Sequence, residues 1–360
     1  MYAINKFKEL PFLDLYDKFI KDSKTGRRLQ PDGRKISNGT IENYASTRKL
    51  LCQFSSEKSF VLRIRIVKHL DKKQLIVEKN YWTKFYRSFT DYLYNDCNHF
   101  DNYVGHTIKN IKTFFNYINK SLLVGTGEFH KSFYIISEQI PILTLMPEEL
   151  NFFIYNNDFE EQLPERLREA KDVFVVGCTV ALRFSDLVAL KESNLRIANN
   201  NYYLAVRSKK TITDTRIKLP DYVIKIILKY RGKYKTLLPS FNKVDLNLYL
   251  KELLEKADLT QVVGKQRAKR GSQKEMVKSN NGKKYAYRFC DLITTHTMRR
   301  TAITTMLTMG VPEQLVRRIS GHSPMSKEFF RYVSFAQSYQ DTETERMFEK
   351  LKELSFHVLN

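Results

Sequence analysis

The stretch from His296 to Tyr332 constrains this chain more than any other, because its punctuation dictates where helices start and stop. Ile303, Leu307 and Val311 recur at near-helical spacing behind His296 and Arg299, so these two polar side chains sit one turn apart and point the same way. Gly310 closes that helix, Pro312 opens the next in its first turn, and Gly321 breaks it just before His322. Ser326 then caps a short aromatic helix that carries Tyr332. Two imidazoles, a guanidinium and a phenol are thus brought forward by one helical run.

At 360 residues the chain is long enough for two domains, each with its own core. Sixty-one Lys and Arg against thirty-nine Asp and Glu leave a formal charge of +22, spread along the whole length. Such an excess favours a polyanionic partner, because each neutralised phosphate releases condensed counterions. Nucleic acid leads, although charge alone also fits a basic protein that merely avoids aggregation, and it does not separate DNA from RNA. Cys52, Cys97, Cys178 and Cys290 are scattered without neighbouring ligands, so neither a zinc site nor a disulfide framework is expected. The N-terminus lacks an apolar signal core, and the longest apolar run, Val173 to Leu182, is about half a membrane span. A cytosolic protein without membrane contact is expected.

Along the chain, Phe12, Leu15, Tyr16 and Phe19 share one face of a first helix, and a polar loop follows over residues 21–39. Ile41, Tyr44, Ala45 and Leu51 repeat the helical spacing, as do Trp82, Phe85, Phe89 and Leu93, and then Ile108, Ile111, Phe115 and Ile118. Four helices fit a small bundle. The segment from Lys58 to Lys73 fits a strand pair or a short helix equally well. Residues 123–142, with Gly125 and Gly127 and no clear period, read as a linker between a helical domain over 1–122 and a second domain over 143–340. In that second domain a helix over 163–182 turns fully apolar and delivers Arg183, whose plain reading is a salt bridge to Asp186. Residues 202–220 alternate as two short strands around Lys209-Lys210-Thr211. The helices over 222–229 and 242–254 read as scaffold. The tract from Lys265 to Arg288 sets nine Lys or Arg, among them Arg267, Lys269 and Arg270, against the single Glu275. It reads as a basic hairpin or loop, either touching phosphates or standing as a charged insertion. Residues 341–360 read as a helical tail.

The order of these parts, Arg183 in A-L-R-F-S-D-L, a strand-borne lysine, His296-x-x-Arg299, Gly321-His322 and then Tyr332, resembles the tyrosine recombinases of the phage-integrase family. His322 and Tyr332 stand ten residues apart, one more than the commoner interval, and Tyr339 is the next tyrosine along. The resemblance implies a mainly α, two-domain protein: an N-terminal helical, SAM-like core-binding bundle and an α+β catalytic domain of the DNA breaking-rejoining type. Its simpler members lack a separate arm-binding domain, which the few residues before the first helix match.

The resemblance also implies roles. Tyr332 attacks a phosphodiester and forms a 3′-phosphotyrosine, Arg183 and Arg299 grip the phosphate oxygens, His296 and His322 assist, and Asp186 orients the site. Lys210, or its neighbour Lys209, protonates the leaving 5′-hydroxyl. Two bidentate guanidiniums suit phosphoryl-transfer charge without a metal or other cofactor. Double-stranded DNA is the implied partner, held by a homotetramer on two duplexes with strand exchange through a Holliday junction. In relatives a comparable tail docks on a neighbouring protomer, which leaves docking in cis or in trans open here, and accessory DNA-bending or excisionase proteins can join. Basic residues on the bundle (Arg48, Lys109, Lys112) and in the tract (Lys265, Arg267, Lys269, Arg270) are the expected DNA contacts. A bacterial mobile element or phage is the expected setting. A type IB topoisomerase shares this chemistry without site choice, and a DNA-binding regulator with idle catalytic residues shares the fold alone.

Overall fold

The computed structural model describes residues 9–208, 213–280, 282–323 and 325–357. Its backbone divides into two compact units, Met1–Ile140 with Gln266–Met276, and Pro141–Lys265 with Val277–Asn360.

The first unit opens with strand β1 (Glu9–Pro11), followed by helices α1 (Phe12–Thr25) and α2 (Asn38–Glu57). Strand β2 (Arg63–Arg65) pairs antiparallel with β1, and α3 (Lys72–Asn95) and α4 (Asp101–Lys120) complete the unit. Ser37 caps α2 by accepting from the Thr40 amide, and Asp71 forms a reciprocal capping box with Gln74 at the start of α3. The segment that fits strand or helix is therefore a strand. Ile64 is buried between Arg63 and Arg65, which turn to Glu9 and Glu78, so the period is two. The core is aromatic: Phe12, Phe19, Phe54, Trp82, Phe85, Phe114 and Phe115 are all buried, and Trp82 meets Phe115 edge-on at 4.9 Å and 89°. Residues 123–140, expected as a linker, belong to this unit, with His130 and Phe133 buried against it. Weak periodicity hid that packing.

The second unit begins with α5 (Pro147–Tyr155), α6 (Asn157–Glu161), α7 (Glu165–Val180) and α8 (Phe184–Leu187). Strands β3 (Leu195–Ala198), β4 (Asn201–Arg207) and β5 (Asp214–Lys218) form a three-stranded antiparallel sheet in that order, one strand more than the alternation suggested. Helices α9 (Asp221–Tyr230) and α10 (Lys243–Lys256) follow. The basic tract folds into two hairpins, β6 (Lys265–Lys269) with β7 (Ser272–Met276) and β8 (Lys278–Asn280) with β9 (Lys283–Tyr285). The chain ends with α11 (Phe289–Leu292), α12 (Thr295–Thr308), α13 (Glu313–Ser320) and α14 (Lys327–His357).

The C-terminal half of helix α7 is buried nearly all round, through Val173, Phe174, Val175, Val176 and Val180, as an all-apolar helical segment must be. It packs closely on α12 at Gly177, where a Cβ would stand 2.6 Å from Met298 Sδ and 3.1 Å from Leu187 Cδ2. That closeness fixes where Arg299 lies relative to the end of α7. Helix α14 is continuous, where a short helix and a separate tail helix were expected. Neither Gly nor Pro occurs between Lys327 and Leu354 to break it. The expected architecture, mainly helical with small sheets and two domains, is the one observed. No helix among the described residues is long and apolar enough to cross a membrane.

Candidate active site

The site is assembled where α7 stops. Ala181 takes the left-handed conformation (φ 54°) that ends the helix, which costs a residue with a Cβ about 1 kcal/mol. The chain then turns so that Leu182 stays buried and Arg183 caps α8. Arg183 Nη1 donates to Ser208 Oγ at 2.9 Å, and that hydroxyl donates to Asp186 Oδ2 at 3.2 Å. The acidic residue of the first motif thus reaches the arginine through a hydroxyl at the end of β4. Lys209 and Lys210 lie outside the described residues, immediately after Ser208, whose amide donates to the Thr213 carbonyl at 2.9 Å.

Arg299 projects from the second turn of α12 and is 4% exposed. Its Nη1 donates to the Ala181 carbonyl at 2.7 Å and its Nη2 to the Ser320 carbonyl at 2.6 Å. Both acceptors are neutral, and no carboxylate among the described residues forms an ion pair with it. Burial, with Arg183 nearby as the second cause, pushes this guanidinium down to about 10. A buried cation held by carbonyls keeps its charge available to an incoming anion.

His322 is set by the end of α13. Gly321 adopts φ 63°, and the His322 amide bonds back to the Arg317 carbonyl at 3.0 Å, closing the helix in a Schellman-type turn. Its Nδ1 lies 2.8 Å from Ser320 Oγ, and that hydroxyl already gives its hydrogen to the Val316 carbonyl at 2.7 Å. The serine oxygen therefore accepts, Nδ1 carries the proton, and Nε2 is left as the second working atom of the ring. Burial and the neighbouring Arg299 and Arg183 push this imidazole down to about 3. His296, in the first turn of α12, is more exposed. Its imidazole is pushed down to about 4, first by desolvation within the concave site and then by Arg300 and Arg299, with Glu328 opposing.

Tyr332 lies on the second turn of α14, 5% exposed, packed in a small cluster with Ala181, Ala302, Ile303 and Phe329. Its ring centroid is 6.0 Å from that of His322. Arg183, His296, Arg299, His322 and Tyr332 all line one cavity of about 540 Å³, and Ser185, Lys243 and Glu328 complete much of its wall. Three arms of the chain that are distant in sequence are thereby joined. Among the described residues no group of His, Cys, Asp or Glu is arranged to hold a metal ion.

Most of the expected DNA contacts have partners within the chain. Arg48 is bonded to Asp17 by both Nε and Nη2, at 2.5 and 2.7 Å, while Lys112 donates to the Lys131 and Phe133 carbonyls and Lys109 is exposed. Lys265 stacks over Tyr287 at 4.3 Å. The tip of the β6–β7 hairpin is built into the first unit. Asp101 accepts from the Arg270 and Gly271 amides at 2.7 and 2.9 Å, and Glu138 accepts from the Ala268 amide at 2.6 Å and Arg267 Nη1 at 3.4 Å. Arg270 also meets Asp91 at 2.5 Å, and Lys269 donates to Asn98 at 2.6 Å.

Sequence reasoning passed over Ser208, Ser320, Lys243 and Glu328. Only Glu328 left a sequence signal, standing four residues before Tyr332 and hence on the same helical face. The side chain of Tyr339 lies outside the described residues.

Comparisons with known proteins give the site its context. Among curated proteins none matches the sequence. Among solved structures, the XerH site-specific recombinase bound to a palindromic difH substrate in a post-cleavage complex is similar over 94% of this chain and 96% of its own, at 12% identity and a TM-score of 0.60. A lambda integrase dimer on a COC′ core site gives 92% and 95% coverage, 14% identity and 0.56, and the Tn1549 transposon integrase with transposon right-end DNA gives 94%, 99%, 15% and 0.56. At these identities the likeness is one of fold. The phage integrase family model matches residues 157–337, half of the chain, from α6 to the turn of α14 just beyond Tyr332. Its span holds every residue that carried the resemblance, and the chain belongs to the phage integrase family, the tyrosine site-specific recombinases.

Proposed function

We propose that this recombinase cuts and rejoins double-stranded DNA through Tyr332, and that it serves the integration or excision of a mobile element. The observation that carries the reading is the convergence of Arg183, Arg299, His296, His322 and Tyr332 on one cavity. The solved relatives were each captured with DNA, which supports the choice of partner.

In this reading the scissile phosphate sits between the two guanidiniums, whose charge offsets that developing on the non-bridging oxygens. The Tyr332 oxygen forms a bond to phosphorus as the bond to the 5′-oxygen breaks. The phenolic proton passes to His296, which is neutral at physiological pH because its pKa is held low. The departing 5′-oxygen takes a proton from a lysine of the β4–β5 connection, Lys210 by preference and Lys209 as its competitor. His322, its Nδ1 donating to Ser320, leaves Nε2 as an acceptor 3.4 Å from Arg299 Nη2 and so helps to orient that guanidinium, and Asp186 holds Arg183 through Ser208. One phosphodiester is exchanged for another, so rejoining needs neither ATP nor a metal. Strand exchange through a Holliday junction by a tetramer on two duplexes extends the reading, with accessory DNA-bending or excisionase proteins as further partners.

The test is incubation with nicked suicide duplexes from the DNA flanking the gene, in EDTA, read on denaturing gels. A protease-sensitive covalent band for wild type but not for Tyr332→Phe is expected. Retention of the duplexes without any band would overturn the reading in favour of a DNA-binding regulator.

A further inference from the structure

Lys243 stands in the cavity wall from an element that otherwise serves as scaffold, the first turn of α10. Three hydrogen bonds fix its backbone. Asn242 caps the helix, accepting from the Val244 and Asp245 amides at 2.9 Å each. One turn on, Asn247 accepts from the Thr295 amide at 2.8 Å, which ties α10 to the first residue of α12. Residues 243 and 247 share a helical face, so the same face that grips the start of α12 presents Lys243 beside His296. The lysine is exposed, and it has no ion-pair partner among the described residues. Its charge is among those that depress His296, and Asn247, on the same face, holds the residue next to His296, so Lys243 lies on the His296 flank of the cavity. The cavity is also larger than one phosphodiester group requires.

We infer that Lys243 binds the backbone phosphate next to the scissile one, on the His296 side, and so sets the register of the strand in the active site. The inference rests on the reading of this cavity as a DNA-cleavage site and adds a contact to it. A free ammonium on a preformed helix end, beside the groups that hold the reacting phosphate, is a suitable point charge for a second phosphate. Binding there aligns the scissile phosphorus with the tyrosine oxygen.

The experiment compares wild type, Lys243→Ala and Lys243→Arg on suicide duplexes that carry either natural phosphates or a neutral methylphosphonate at the flanking position. Binding is followed over a range of salt and cleavage over a range of protein concentrations. On natural DNA, Lys243→Ala is expected to raise the half-saturating concentration roughly three- to tenfold and to reduce the slope of log affinity against log salt by about one. Lys243→Arg should recover most of the loss. With the methylphosphonate in place, wild type and Lys243→Ala should converge, because the charge that the lysine meets is gone. A difference that persists unchanged on methylphosphonate DNA, or an unaltered salt slope, overturns the inference. A fall in the cleavage rate at saturation that a 5′-bridging phosphorothiolate rescues also overturns it, placing Lys243 at the leaving group instead. Failure of wild type to form any covalent product refutes the cleavage reading by itself, and the salt slopes on the same duplexes still decide whether Lys243 meets a phosphate.

Discussion

Arg63 in the first unit and Arg299 in the second are both withdrawn from water, and they are satisfied in opposite ways. Arg63 Nη1 donates to both carboxylate oxygens of Glu78, at 2.9 and 2.8 Å, where Glu78 is fully buried, and its guanidinium lies 4.0 Å above the Tyr81 ring. Arg299 takes two backbone carbonyls. The first arrangement cancels charge and pins β2 to α3. The second fixes the side chain equally well and leaves its charge uncancelled. Arg48 and Arg270 of the first unit are arranged as Arg63 is, meeting Asp17 and Asp91. At Arg63 positive charge is used for folding; at Arg299 it is held ready for an anion.

The pair gives the sharpest test of that difference. Arg299→Met should lower the rate of covalent complex formation by about 10²–10³-fold, the usual loss when one preorganised transition-state donor is removed. Its cost in stability should stay near 1–3 kcal/mol, from two carbonyls left without a donor. Arg63→Met should do the reverse. Leaving the buried Glu78 with only Arg65, 3.8 Å away, costs up to about 3–5 kcal/mol, seen as a lower melting temperature, with cleavage per folded molecule little changed. Equal effects of the two variants on cleavage would erase the distinction.

Acid should separate the units next. The imidazoles of His296 and His322 sit at about 4 and about 3, below the ordinary value of about 6.5 that they regain on unfolding. The unfolded chain therefore binds more protons as pH falls below about 6.5, so the stability these groups confer is full above that pH and lost on the way down. His130 of the first unit shares the direction, at about 4, through burial and then Lys112. Both units should melt earlier at pH 5 than at pH 7 in calorimetry. Sulfate should restore only the second, because an anion in the cavity raises the two site histidines and leaves His130 untouched. Rescue of both units alike would show a general salt effect.

The smallest expected effect is at Ser208. Ser208→Ala removes the hydroxyl between Arg183 and Asp186, worth about 1 kcal/mol, and should slow cleavage roughly tenfold or less while lowering the melting temperature by only about 2–4 °C. A loss as large as that of Arg299→Met would mean that Ser208 does more than orient Arg183.

These cases also mark what the sequence could tell. The five side chains lining the cavity were legible together, because Gly310, Pro312 and Gly321 punctuate their helices and the residues follow one another in a specific order. The groups that hold them were not. Arg299 relies on the Ala181 and Ser320 carbonyls, and backbone atoms leave no mark in a pattern of side chains. Ser208 and Ser320 are common residues that matter only through the turns that place them. In the basic tract, Arg267 and Arg270 read as free charge, yet their partners Glu138 and Asp91 are more than a hundred residues away. Local charge balance cannot register such pairs. The packing of residues 123–140 on the first unit escaped for a related reason, since irregular segments bury single residues such as Phe133 without a period.

The most direct test is to digest the covalent complex with nuclease and trypsin and to fragment the nucleotide-bearing peptide in a mass spectrometer. The peptide beginning at Tyr332 contains Tyr339 as well, so the fragments decide between them. A phosphonucleotide on Tyr332 is the predicted result. The same adduct on Tyr339, or on any residue outside the cavity, would contradict the account.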